Sequence, residues 1–373
     1  MILFFILYGI TAVVPFIAAV YLLLRRGNAF APDITPPVRL RRWAASFFAA
    51  STLGHVLWYL FYTYSRDVHS ASYLVVLVAD CMMMLTTIAG TLLSMLQDRK
   101  RSVWPVFVAM IPFLVLVALQ ICYPDGSFAY IASAYILLFY TAFTAYLVFA
   151  VRQYGRWLND NYADLENKKV WLSQVVSLVF LLSFFLYELV DTYINLIYLL
   201  HVIELVFFCL LLWRVETLPQ LDSLSSEEAC ATPVPETAAQ EPDVPTLAQQ
   251  EPATPTNIDL AQIERLLAEH CVSTQLYLQH DLTLQQLAQA IGTNRSYLSQ
   301  YFSRQGITYN TYINNLRINH FITRYREATA ARQPIIAQQL ASDSGYRSYS
   351  TFGRAFIQRM GQSVTAWMRQ SAK

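Results

Sequence analysis

Six ionisable side chains fall within or beside long apolar stretches of this 373-residue chain: His55, Asp80, Glu188, Asp191, His201 and Glu204. Hydrocarbon makes such groups costly, so their chemistry matters: imidazoles and carboxylates bind polar ligands, relay protons and ligate metals. His201 and Glu204 are three residues apart, which puts them on one helix face. Pooled across helices, the six could line a ligand pocket, form a proton-sensitive network or hold a metal ion. They could equally be an interhelical hydrogen-bond network that only holds a bundle together, and residue types alone leave these alternatives open. The five cysteines are scattered with no CxxC pair, so neither a zinc site nor a disulfide framework is indicated, and no metal or other cofactor is expected. Cys81, Cys122 and Cys209 lie in apolar runs, where cysteine behaves as a small hydrophobe. The chain has no P-loop, no glycine-rich nucleotide signature and no HExxH, and the His, Asp and Glu of the apolar stretches lack a nucleophile arrangement. Enzymatic activity is not expected.

These polar groups must be positioned by the apolar stretches that contain them. Seven stretches stand out, at 2–24, 43–64, 72–96, 103–123, 128–151, 170–190 and 194–213. Each is close to the roughly 20 residues that carry a helix across a bilayer core of about 30 Å. A soluble helix keeps a polar stripe, and ILFFILYGITAVVPFIAAVYLLL has none. Loop charge gives a separate test. The segments after runs one, three and five hold Arg25, Arg26, Arg39, Arg41, Arg42, Arg99, Lys100, Arg101, Arg152, Arg156, Lys168 and Lys169. The segments after runs two, four and six hold only Arg66. The positive-inside tendency then puts the N-terminus outside and the chain after run seven in the cytoplasm, as an odd number of spans requires. Arg25 and Arg26 follow the first run, so it reads as an uncleaved span, with Pro15 a place for a kink. Trp58, Tyr59, Tyr62 and Tyr64 fit an aromatic belt at the membrane interface.

Charge divides the chain into three regimes. Residues 1–213 carry 13 basic and 11 acidic side chains, 214–256 carry 1 and 8, and 257–373 carry 12 and 6. The middle segment, rich in Pro, Glu, Ala, Thr and Gln, lacks the apolar surface that would offset chain entropy, and disorder is expected there. A flexible tether of roughly 40 residues has an end-to-end distance of about 35 Å. It is also a candidate site for regulated proteolysis.

The basic C-terminal segment contains a repeat. LTLQQLAQAIGTNRSYLSQYFSRQGI (282–307) and PIIAQQLASDSGYRSYSTFGRAFIQRMGQ (334–362) align Leu287, Ala288 and Gly292 with Leu340, Ala341 and Gly345. After one inserted residue, Leu298 and Phe302 align with Phe352 and Phe356. The alanine lets two helices cross closely, and the glycine four residues on ends the first helix in a left-handed turn. The apolar pair, four residues apart, anchors the second helix and leaves its other face free for a DNA major groove. Between the repeats, 308–327 has helical spacing at Tyr312, Leu316 and Ile318 to Phe321, predicting one long connecting helix, and a further helix is predicted near 258–270.

Over about 257–373 this arrangement closely resembles the DNA-binding domain of the AraC/XylS family of bacterial regulators, most clearly in SGYRSYSTFGRAFIQRMGQSVTAWMR. Val364 stands where that family usually has proline, which should soften the start of the last helix. The resemblance does not reach residues 1–213. It implies groove-facing positions at Arg295, Ser296, Ser299 and Gln300 in the first unit and at Tyr349, Ser350, Thr351 and Arg354 in the second. Arginine can pair with guanine and glutamine with adenine. Arg304 and Arg347 are better suited to phosphate.

The sequence therefore predicts an all-α protein. A seven-helix transmembrane domain (1–213) is followed by an acidic Pro-rich linker (214–256) and a soluble double helix-turn-helix domain with a long connecting helix (257–373). Its expected role is a one-component bacterial transcription regulator in the cytoplasmic membrane, with double-stranded DNA and the lipid bilayer as partners. A small-molecule or envelope signal and a second copy of the chain are further candidate partners. Two alternatives are a membrane receptor or transporter whose tail binds protein, and a latent factor released by linker cleavage.

Overall fold

In an apolar medium a single chain segment can satisfy its own backbone only as a helix, because every N–H and C=O then finds a partner within the segment. The computed structural model describes residues 2–65, 67, 70–124, 127–165, 168–171, 175, 194–221 and 260–371. Six long helices occupy the N-terminal part: α1 (Ile2–Leu24), α2 (Val38–Tyr64), α3 (Ala71–Ser94), α4 (Trp104–Cys122), α5 (Phe128–Asn161) and α6 (Ile194–Thr217). All six are long and apolar enough to cross a membrane. They correspond to six of the seven expected runs. The run at 170–190 lies outside the described residues except at 170, 171 and 175, and so do Glu188, Asp191 and the linker from 222 to 259. α1 continues through Pro15 without a break.

The chain divides into two compact units, Met1–Tyr154 with Asn167–Cys230 and Gly155–Glu166 with Ala231–Lys373. In the first, α1 packs on α2 and α6, α2 on α3, and α3 on α4. Phe47 and Phe48 of α2 are fully buried against Phe207 and Phe208 of α6, with ring centroids 5.9–6.1 Å apart in edge-on arrangements. Gly90 of α3 lies so close to the Trp43 ring that a Cβ there would overlap it. Outward-facing side chains stay apolar, with Ile2 78% and Leu24 75% exposed, a surface suited to lipid. Polar ties gather at one end. Arg25 pairs with Glu216 at 3.1 Å, Asn28 Nδ2 donates to the Glu216 carbonyl at 2.8 Å, and Gln97 Nε2 donates to the Pro219 carbonyl at 3.0 Å.

In the second unit seven helices follow: α7 (Leu260–Leu267, continued by a π turn over Ala268–Val272), α8 (Leu284–Ala290), α9 (Arg295–Arg304), α10 (Tyr309–Ala330), α11 (Ala337–Asp343), α12 (Tyr349–Met360) and α13 (Val364–Ser371). Their starts are written locally. Thr283 and Gln286 form a reciprocal capping box on α8, and Asn294, Thr308 and Ser348 cap α9, α10 and α12 through side-chain oxygens. Where the resemblance would place a proline at the start of α13, Ser363 Oγ instead accepts from the Ala366 N–H at 3.3 Å, so the helix begins on a cap.

Two cores flank the long helix α10. The first gathers Leu267, Cys271, Leu287, Ala288, Leu298, Phe302 and Ile313, and the second gathers Ile318, Phe321, Ala341, Phe352, Phe356 and Trp367. Tyr312 and Leu316, expected in the core, are half-buried against the first. Burial pushes the Cys271 thiol up to about 11, so it stays protonated and inert. Between the two cores lies Arg317, only 1% exposed. Its Nε donates to the Tyr277 carbonyl at 2.7 Å, another guanidinium nitrogen donates to the Gln279 carbonyl at 2.8 Å, and the group sits 5.5 Å from the centre of the Tyr346 ring. Burial lowers its pKa, and Tyr346 is the foremost of the groups that oppose the shift.

Gly345 belongs to the same junction. Its φ is +87°, and a Cβ would lie 2.8 Å from the Leu278 carbonyl oxygen and 3.0 Å from Arg317 Nε. Gly292, at the matching place in the first repeat, has φ +72° with open space around it. Gly292→Ala should therefore destabilise a 257–373 fragment by about 1–2 kcal/mol from backbone strain alone, and Gly345→Ala by about 3 kcal/mol or more because strain and overlap combine. Urea unfolding followed by Trp367, the only tryptophan in that fragment, measures both. Equal losses would contradict the difference in packing. Arg317→Met orphans two buried carbonyls and should cost about 3 kcal/mol in the same measurement.

Candidate nucleic-acid interface

The two repeats fold into the same device. In the first, Gly292 turns the chain between α8 and α9, and the Thr293 N–H closes the turn on the Ala288 carbonyl at 2.9 Å. In the second, Gly345 turns it between α11 and α12, and the Tyr346 N–H closes on the Ala341 carbonyl at 3.2 Å. Ala288 and Ala341 are buried at the crossings. Leu298 and Phe302 face the first core, and Phe352 and Phe356 the second, where Phe321 of α10 meets both rings at 4.5 and 5.9 Å. Each second helix is thus pinned by one face while the opposite face points to solvent.

That outer face carries the residues the sequence singled out. On α9, Ser296, Gln300 and Arg304 are exposed, while Arg295 and Ser299 are half-buried. Arg295 Nε donates to Asn161 Oδ1 at 2.9 Å, within the same compact unit. On α12, Tyr349, Ser350 and Arg354 are exposed and Thr351 is half-buried beside the Ser348 cap. The guanidiniums of Arg304 and Arg354 make no hydrogen bond or ion pair among the described residues. Arg347, expected at phosphate, pairs with Asp281 at 3.0 Å, and its side chain is largely exposed.

Three residues that matter here escaped the sequence reading. Arg317 braces the two halves, although its place on the Ile313, Arg317, Phe321, Tyr325 stripe of α10 could have marked it as buried. Arg359 clamps α12 to α10 by donating to Asn319 Oδ1 at 2.6 Å and to the Asn315 carbonyl. Gly353 sits mid-helix on the outer side of α12, and a Cβ there would meet nothing within 4 Å. The domain's own packing does not require that glycine.

In the other unit, the polar residues divide. His55 of α2 comes together with His201 and Glu204 of α6, whose Oε2 is 3.7 Å from His55 Nε2 and 3.5 Å from His201 Nδ1. Asp80 of α3 instead accepts from Trp58 Nε1 at 3.0 Å and lies against Gly54. Glu188 and Asp191 lie outside the described residues.

Residues 287–370 match a family model described as a helix-turn-helix domain. No curated protein and no solved structure matches the chain. The matched span covers the crossing alanines, both turns, both outward-facing helices and the connecting helix. Residues 287–370 are therefore a helix-turn-helix domain of the AraC/XylS type, a DNA-binding regulator domain, and the described residues of the N-terminal part hold six apolar helices.

Proposed function

We propose that this protein is a one-component transcription regulator of the cytoplasmic membrane, reading DNA with α9 and α12 under the control of its membrane domain. The observation that carries the proposal is the repeated device itself. Two helices, each pinned by an apolar pair, turn polar and basic side chains to solvent from one domain. A double helix-turn-helix of this kind suits two successive major-groove turns on one DNA face. Loop charge supports an outside N-terminus and a cytoplasmic tail, which gives α9 and α12 access to the chromosome. Because Glu216 and Pro219 are held in the first unit, we assign the role of tether to residues 222–256 only, and the chain no enzymatic role. A signal reaching the bundle would act by changing how the tail is presented or paired with a second copy.

Arg295, Ser296, Ser299, Gln300, Tyr349, Ser350, Thr351 and Arg354 are the proposed base-reading set, with Arg304 and Arg347 at the phosphates. The two classes separate by salt and sequence dependence. Arg354→Ala should cost about 1–3 kcal/mol at the preferred site and relax the choice of base at one position. Arg304→Ala should weaken all sequences alike and lower the slope of log affinity against log salt by about 1. Fluorescence anisotropy with the 257–373 fragment, on a selected site and on random DNA over a salt series, reads both. A fragment with no preference between the two DNAs would overturn the proposal.

Gly353 gives a sharper test. Glycine in a helix interior is less stable than alanine by about 1 kcal/mol, and here no packing demands it. Its smallness fits close approach of DNA to α12. Gly353→Ala should stabilise the fragment by up to about 1 kcal/mol while weakening its binding to DNA. Greater stability with unchanged binding would remove Gly353 from the contact surface.

A further inference from the structure

We propose that His55, His201 and Glu204 form a binding site for a transition-metal dication of the zinc class, joining α2 to α6. Their ligand atoms, two imidazole nitrogens and one carboxylate oxygen, all lie within 4.8 Å of one another. The distances are wider than those of a closed hydrogen-bonded ion pair. A charge-assisted N–H···O contact closes to about 2.8 Å. Here Glu204 Oε2 is 3.7 Å from His55 Nε2 and 3.5 Å from His201 Nδ1. Ligands on a tetrahedral zinc, at bond lengths of about 2.0–2.2 Å, stand about 3.4 Å apart. Both distances from Glu204 are close to that spacing.

Tautomer chemistry points the same way. His55 Nδ1 lies 2.8 Å from the Ser51 carbonyl oxygen. A carbonyl only accepts, so Nδ1 carries a hydrogen, and Nε2 is the ring atom turned toward Glu204. A ligating histidine whose other nitrogen donates to a backbone carbonyl is the usual outer shell of a metal site. In addition, Tyr8 holds the same residue, donating to the His55 carbonyl at 2.6 Å, and its ring stands 5.1 Å from the His55 ring and 5.7 Å from that of His201.

The donor set gives the class of ion. Two imidazoles and one carboxylate suit zinc, copper, nickel or iron, whereas calcium and magnesium prefer all-oxygen shells. Three protein ligands also leave a coordination position for water or an external ligand. Thr11 Oγ1, 3.5 Å from His201 Nδ1, borders that position. The side chains of His55, His201 and Glu204 are 12, 11 and 19% exposed, so an ion bound there would be held by three donors largely shielded from water. None of this depends on the tail binding DNA.

The full-length protein in detergent, stripped with EDTA, would be titrated with cobalt chloride and then with zinc chloride against a chromogenic chelator. The expected result is one equivalent of either ion, with the intense visible bands of four-coordinate cobalt, and no binding of magnesium. His201→Gln and Glu204→Gln should each weaken binding by about tenfold or more, while His270→Gln, at an exposed histidine of the other unit, leaves it within about twofold of the parent. If a variant fails to fold, the titration of the unmodified protein decides. Absence of stoichiometric cobalt and zinc binding there overturns the proposal. So does a folded His201→Gln/Glu204→Gln double variant that binds as tightly as the parent.

Discussion

The guanidinium of Arg317 is almost wholly removed from water, so its charge has to be satisfied by the protein, and the DNA-binding domain is arranged around doing so. The carbonyls it uses belong to Tyr277 and Gln279, in the turn that closes the first core, and the ring it faces is Tyr346, just after the second turn. One side chain on α10 therefore ties both halves to the connecting helix. The bare backbone of Gly345 is needed because Leu278 and Arg317 already fill the space beside it. A buried charge left unpaired is far costlier than an apolar substitute. The junction is thus stable in one register, and the spacing of α9 and α12 is set by covalent helix and hydrogen bonds instead of by a soft apolar contact.

The membrane-type unit meets the same constraint with different means. A buried guanidinium carries its own donors, whereas His55, His201 and Glu204 bring two imidazole nitrogens and a carboxylate oxygen within 4.8 Å of one another. Asp80 avoids that difficulty because Trp58 donates to it directly. Of the six ionisable groups singled out in the sequence, the four among the described residues divide in space: Asp80 is met within the α2–α3 pair, and three converge across α2 and α6.

Much of this was legible in the chain. Alanine four residues before glycine, followed by an apolar pair four apart, specified both helix-turn-helix units, and the apolar run lengths marked the six long helices described in the N-terminal part. Those features are local, and local rules of helix capping and turn conformation decide them. What escaped was non-local. Arg317 reads as one more solvated charge until the carbonyls of Tyr277 and Gln279, some 40 residues away in sequence, are brought to it by the fold. The same holds for Arg359, whose partners lie on α10, and for the pairing of Arg295 with Asn161. His201 and Glu204 could be placed on one face from their spacing, yet nothing in the sequence names His55 as the third member.

The charge count of the tail changes meaning in this light. Of its 12 basic residues, Arg317 and Arg359 are spent inside the domain, Arg265 and Arg324 pair with nearby glutamates, and Arg347 is shared with Asp281. A net charge of +6 therefore overstates local contact and understates selectivity. Long-range attraction to a polyanion follows the sum, but base choice follows the few side chains that reach the groove unengaged. On α12 Arg354 is such a side chain among the described residues, and beside it Gly353 gives up side-chain bulk that the domain's own packing would have accepted. A helix optimised only for its own stability would have alanine there.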